Sequence, residues 1–387
     1  MTAARSSEQN RPVIVVRNHP RACECCGGDD HEILWAYECE KVQRSAIYQF
    51  AVSNVICRSC GFVFIAPCYD AQQLQDYYDD FWDIDAVDYD WDKRLFVASR
   101  YAVPEGVFVE IGAKQQSAFH EGLRAHFGTI ITQDISSAGD LQTKDLNSIK
   151  PNSVDVIAHY YVLEHITNIT AFLSDAWDKL RADGHMIVEV PDIAHYADDA
   201  SALIHWEHTN HFSAGTLAQI AANEGFQCVE TSIADRSRSF GFVSVFKKVA
   251  KPAQMLLTTN EYEQNKRLVE IGVEKIAADK QRHEDSKAIL ARWIADGLSV
   301  VVWGVNDDFS ALHEAGAITS DVCVVDIDPR KSSLISGCEI LTPSLATDAI
   351  KDADAILICA RTFTVQILDS IAADYDKTFP DNRIRLI

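Results

Sequence analysis

From residue 107 onward the chain sets short apolar runs against amphipathic stretches. VFVEIG, Val107 to Gly112, is an apolar run closing on an acid and a glycine, and it predicts a strand. AFHEGLRAHFG predicts a helix closing at Gly128, and TIITQD a second strand ending at Asp134. SVDVIAHYYVLEHI predicts a third strand, with Asp155 ahead of its apolar core. ITAFLSDAWDKLRADG has helical periodicity, with Gly184 just past its end, where a left-handed residue is wanted. HMIVEVPD predicts another strand. Strands alternating with helices predict a parallel, doubly wound sheet, and such sheets hold ligands at the carboxyl ends of their strands.

Residues 260–297 carry apolar positions at three- and four-residue steps and predict a long helical stretch. LSVVVWGVNDD, Leu298 to Asp308, then opens a second α/β unit, continued by DVCVVDIDP and ADAILICA. Gly112 and Gly304 end strands and serve either ligand approach or a plain turn. Asp326 and Asp328 either reach a ribose or cap a helix. Residues 71–95 are acidic and aromatic; they predict a helix and linker packed on a neighbour, or a lid over the next domain.

Cysteine changes the picture at the N-terminus. Seven of the 11 cysteines fall in the first 68 residues. CECCGG and CRSCGF each contain Cys-x-x-Cys-Gly, with Cys23 and Cys26 in one and Cys57 and Cys60 in the other. Two such turns predict a tetrahedral four-thiolate site suited to Zn²⁺, closed and therefore structural. Cys25 and Cys39 are spare candidates.

The chain has 387 residues, enough for two or three domains with a sizeable core. Lys and Arg number 35 against 57 Asp and Glu, a net charge of −22. With no basic stripe to offset it, that charge argues against a nucleic-acid partner. No apolar run is long enough to span a bilayer and the N-terminus lacks a secretory pattern, so the expectation is a cytoplasmic protein without a membrane partner.

HWEHTNHFS, His205 to Ser213, gathers three histidines and a glutamate in nine residues. Imidazole near its natural pKa suits proton abstraction. A histidine packed in a structured loop, or a second metal site from His205, His208 and His211, are the alternatives.

The order of these pieces carries a resemblance. A paired-cysteine module, a domain with EIG and VLEHI, an EH…FS segment and a second α/β domain together resemble the zinc-containing C-methyltransferases of nucleotide-linked deoxysugars, the tylosin and tetronitrose sugar group. HWEHTNHFS looks like that family's Tyr-His-Glu-His-Leu-Ser-Tyr-Phe-Ser. The resemblance implies an α/β fold in three parts: an N-terminal zinc-binding module (1–75), a class I methyltransferase-like doubly wound sheet (76–250), and a smaller C-terminal Rossmann-like domain (298–387) after a helical connector (251–297). It implies S-adenosylmethionine (SAM) as cofactor, with Glu110, Gly112, Asp134 and Tyr160 at its site. It implies a nucleotide-linked keto-sugar as substrate, with His208 as base supported by Glu207 and His205. The sequence departs from the family at Lys114 and Gln116, where it has Asn and Gly, at His205, where it has Tyr, and in WGVNDDFS, where only Gly304 is kept. These departures leave open a non-methylating relative that binds or transforms a nucleotide sugar.

Overall fold

The computed structural model describes residues 11–43, 45–80, 91–113, 117–133, 146–233, 241–258, 260–328, 331, 338–360 and 363–387. The chain divides into two compact units, Met1–Lys275 and Ile276–Ile387.

In the first unit, the N-terminal strands are β1 (Val13–Val15), β2 (Asn18–His19), β3 (His31–Val42), β4 (Ile47–Cys57), β5 (Val63–Ile65) and β6 (Cys68–Tyr69). β3 and β4 are long antiparallel partners, in register from His31↔Cys57 to Val42↔Ile47. β4 alternates inward and outward residues and buries Tyr48, Phe50 and Val52 against Tyr69 and Tyr77. The last of these comes from α1 (Ala71–Asp80).

The central sheet follows α2 (Trp91–Ser99). It is built from β7 (Val103–Ile111), α3 (Ala118–Leu123), β8 (Phe127–Gln133), β9 (Val154–Tyr160), α4 (Ile169–Lys179) and β10 (Leu180–Pro191). After α5 (Ser201–Ile204), β11 (Asn210–His211) and α6 (Ala214–Asn223) come β12 (Phe226–Ile233) and β13 (Gly241–Lys248). The strand order is β12-β13-β10-β9-β7-β8. β7 to β10 pair in parallel and β13 runs antiparallel between β10 and β12. Every residue of β9 is buried, as expected of a strand covered on both faces. The chain leaves β7 toward β8 and returns on the other side as β9. This order reversal makes the crevice beyond the carboxyl ends of β7 and β9 the place for a ligand.

Two boundaries differ from the sequence expectation. α3 stops at Leu123, and Gly128 lies inside β8, because Phe127 is needed in the core against Phe108. α4 stops at Lys179, and Asp183, not Gly184, takes the left-handed conformation, with φ 62°. Gly184 instead falls within β10, where the pairing with β9 shifts register between Leu180 and His185.

A long helix, α7 (Tyr262–Ala295), ends near Gly297, whose φ of +75° suits a helix stop. The second unit holds β14 (Val300–Trp303), α8 (Asp307–Glu314), β15 (Val322–Val325), β16 (Ile340–Leu341), α9 (Thr347–Asp352), β17 (Ala355–Ile358), α10 (Thr364–Tyr375) and β18 (Ile384–Leu386). All pairs in its sheet, ordered β16-β15-β14-β17-β18, are parallel. This is the smaller Rossmann-like layer arrangement. Gly304 sits at φ +95°, where a Cβ would meet Ala360 at 2.7 Å. Asp326 organises its own loop: its carboxylate accepts from the backbone N–H groups of Val305 and Asp328 and from Lys331 Nζ. No helix among the described residues is long and apolar enough to cross a membrane.

Candidate active site and cysteine cluster

The two cysteine turns close on one another. Gly27 N–H donates to the Cys23 carbonyl at 2.6 Å and Gly61 N–H to the Cys57 carbonyl at 2.9 Å. Both glycines take positive φ, +74° and +81°. Cys23 Sγ lies 3.5 Å from Cys60 Sγ, and Cys26 Sγ lies 3.5 Å from Cys57 Sγ. Zn–S bonds of ~2.3 Å set tetrahedral sulfurs roughly 3.8 Å apart, so these four thiols fit a zinc ion. Hydrogen bonds from Cys23 and Cys60 hold the Cys57 thiol below its ordinary value, which favours a thiolate there. Cys25 and Cys39 are not part of the set.

The cysteine turn is tied to the histidine-rich segment. Arg21, two residues before Cys23, donates to the Thr209 carbonyl at 3.0 Å and to Asn210 Oδ1 at 2.7 Å. Asn210 and His211 pair with Phe64 and Val63, so this segment completes the N-terminal sheet. Asn210 Nδ2 also donates to the carbonyls of Leu163, at 3.0 Å, and Ile166, at 2.8 Å. One buried amide thus fixes the distance between the histidines and the turn after β9. Trp206 supplies the second anchor, stacked on Phe50 at 3.7 Å.

The three histidines separate into different roles. His211 is buried, and its Nδ1 takes the hydroxyl of Tyr196 at 2.5 Å while Nε2 reaches Asn54 Oδ1 at 2.9 Å. Burial pushes its pKa down to about 3. Both nitrogens are committed, so the set His205, His208 and His211 is not assembled as a metal site. His208 lies elsewhere: its ring stands 4.4 Å from His205, nearly parallel, and 4.8 Å from His165, edge-on. His208 Nδ1 faces the Ala202 carbonyl at 3.1 Å, which assigns the proton to Nδ1 and leaves the lone pair on Nε2. Burial, then the neighbouring imidazoles of His165, His205 and His211, hold its pKa well below the ordinary value. His205 Nδ1 is 3.6 Å from Glu207 Oε2.

Glu164 and His165 lie in the turn directly after β9, and their place beside His208 depends on contacts that the VLEHI motif alone does not specify. Glu164 is 1% exposed, and neither carboxylate oxygen has a hydrogen bond to another described residue. Burial, with the nearby Glu189 charge, raises its pKa to about 8.

At the end of β7, Glu110 is buried with its Oε2 2.6 Å from His120 Nε2. His120 Nδ1 accepts the Ser117 N–H at 3.0 Å. Gly112 follows at φ +82°, and a Cβ there would come within 2.4 Å of Val162. The Tyr160 hydroxyl is buried without a hydrogen-bond partner among the described residues. Its ring lies under the Arg94 guanidinium at 4.2 Å, and Arg94 in turn bonds Glu189 Oε2 at 2.8 Å, both side chains 6% exposed. Sequence reading missed this buried pair. Asp134, Lys114 and Gln116 lie outside the described residues, as does much of the acidic segment, residues 81–90.

A family model described as a methyltransferase domain matches residues 71–231. The central part of this chain is a methyltransferase domain. No curated protein matches the chain. Solved structures similar to the methyltransferase domain include the 1,6-didemethyltoxoflavin-N1-methyltransferase of Burkholderia thailandensis, with bound 1,6-didemethyltoxoflavin and S-adenosylhomocysteine. It is 13% identical over 49% of this chain and 96% of that one, with a TM-score of 0.39. A SAM-dependent methyltransferase of Archaeoglobus fulgidus is 16% identical over 40% and 92%, with a TM-score of 0.34. One of Mesorhizobium loti is 12% identical over 41% and 100%, with a TM-score of 0.34.

Proposed function

We propose that the chain is a SAM-dependent C-methyltransferase acting on a nucleotide-linked keto-deoxysugar, with His208 as the base. The observation that carries this reading is the His208 ring itself. It sits beside the turn after β9 and has its Nδ1–H spent on the Ala202 carbonyl, which leaves Nε2 as the basic nitrogen. A ketone acidifies the hydrogen on the adjacent carbon, and a neutral imidazole with a lone pair on Nε2 is suited to take it. Glu164, protonated at neutral pH, can donate a hydrogen bond to the oxygen on which negative charge then builds. Glu207 and His205 hold the sugar or steady the base.

When bound, SAM supplies an electrophilic methyl group. Glu110, Gly112 and Tyr160 are the described residues proposed to hold it, together with Asp134. The unpartnered Tyr160 hydroxyl and the left-handed glycine at the strand end fit such a ligand. Cys23, Cys26, Cys57 and Cys60 are proposed to hold a structural zinc in the 1–75 module, ahead of the methyltransferase-like domain at 76–250, the connector at 251–297 and the C-terminal domain at 298–387.

The test is incubation with methyl-labelled SAM and a panel of nucleotide-linked keto-sugars, read by mass spectrometry. The expected product carries the label on a carbon beside the ketone. Absence of SAM binding by calorimetry, together with no labelled sugar, would overturn the reading.

A further inference from the structure

We propose that Glu164, His165 and His208 form a second divalent-cation site, distinct from the four cysteines and of the imidazole–carboxylate class that takes zinc. The three residues offer ligand atoms that all lie within 4.8 Å of one another. Zinc bonds of ~2.0–2.2 Å set tetrahedral ligands roughly 3.4 Å apart, so side-chain rotations of about an ångström close the set. Two imidazoles and one carboxylate leave a fourth position open, as in catalytic rather than structural zinc sites.

Independent support comes from Glu164. It is almost fully buried, neither oxygen has a hydrogen bond to another described residue, and His165 Nε2 lies 3.9 Å from Oε1. A carboxylate in that position is costly unless it meets a proton or a cation. The outer contacts are also those of a metal site. A ligating histidine commonly donates its other N–H to a carbonyl, as His208 does to Ala202. The scaffold is rigid where it matters, since Asn210 binds the carbonyls on both sides of the Glu164–His165 pair.

This site goes beyond methyl transfer and does not depend on it. A cation there occupies the His208 lone pair, so the loaded chain has no free base at that ring, and excess zinc becomes an inhibitor.

The experiment is a Co²⁺ titration of the full chain already carrying one zinc on its cysteines, followed by visible absorption and by metal analysis after gel filtration. The expected result is a second equivalent with the d–d bands of nitrogen and oxygen ligation and no thiolate charge-transfer band. Glu164→Gln should weaken this second equivalent by at least about tenfold while the cysteine-bound zinc is retained. His165→Gln, with the same retained zinc as its folding control, should do likewise. A wild-type chain that takes up no second cation, or a second cation bound equally well by both variants, would overturn the proposal.

Discussion

His208 and His211 stand three positions apart and have opposite surroundings. His211 uses both ring nitrogens on Tyr196 and Asn54, while His208 keeps one free beside His165 and Glu164. Spacing alone could not separate them, because β11 turns His211 into the N-terminal sheet, and that pairing spans well over a hundred residues of chain. His211 and His159 are both buried neutral, with pKa values pushed down to about 3 by burial. Unfolded histidine takes a proton near pH ~6.5. Folded stability is therefore full above that value and falls as acid protonates the unfolded chain, down to about pH 3. The expected loss between pH 7.5 and pH 5 is about 2 kcal/mol for each of the two. Denaturant titrations at several pH values check this; a midpoint unchanged down to pH 5 would contradict it.

At the level of elements, the sheets were legible and several of their ends were not. Apolar runs marked β7 to β10, β14, β15 and β17 because buried parallel strands must be apolar on both faces. The stops of α3 and α4 depended on tertiary demands, the core position of Phe127 and the irregular pairing after Leu180. The cysteine turns were legible for a local reason, since each needs only a short motif and a glycine. The Arg94–Glu189 pair was not, because its partners lie 95 positions apart. The same long-range logic makes Asn210 the joint between the cysteine turn, the histidine segment and the turn after β9. Asn210→Ala removes its amide from Arg21, from the carbonyls of Leu163, Glu164 and Ile166 and from Thr209 Oγ1, and leaves buried carbonyls unpaired. The expected destabilisation is about 2–3 kcal/mol by chemical denaturation. A change under about 0.5 kcal/mol would show that the joint is not needed.

The order reversal of the central sheet opens a crevice beyond β7 and β9, and the N-terminal sheet delivers the histidine segment to the turn that borders it. Glu110, Glu164 and Glu189 are all buried in this region. The central claim is that the His208 ring draws a proton from carbon beside a ketone. Solvent deuterium wash-in tests it without requiring methyl transfer: the chain is held in D₂O with a nucleotide-linked keto-sugar and S-adenosylhomocysteine, and the sugar is read by NMR. Deuterium is expected on the carbon next to the ketone with the wild-type chain, with a loss of at least about a hundredfold in rate for His208→Ala. Equal wash-in by both proteins would contradict it.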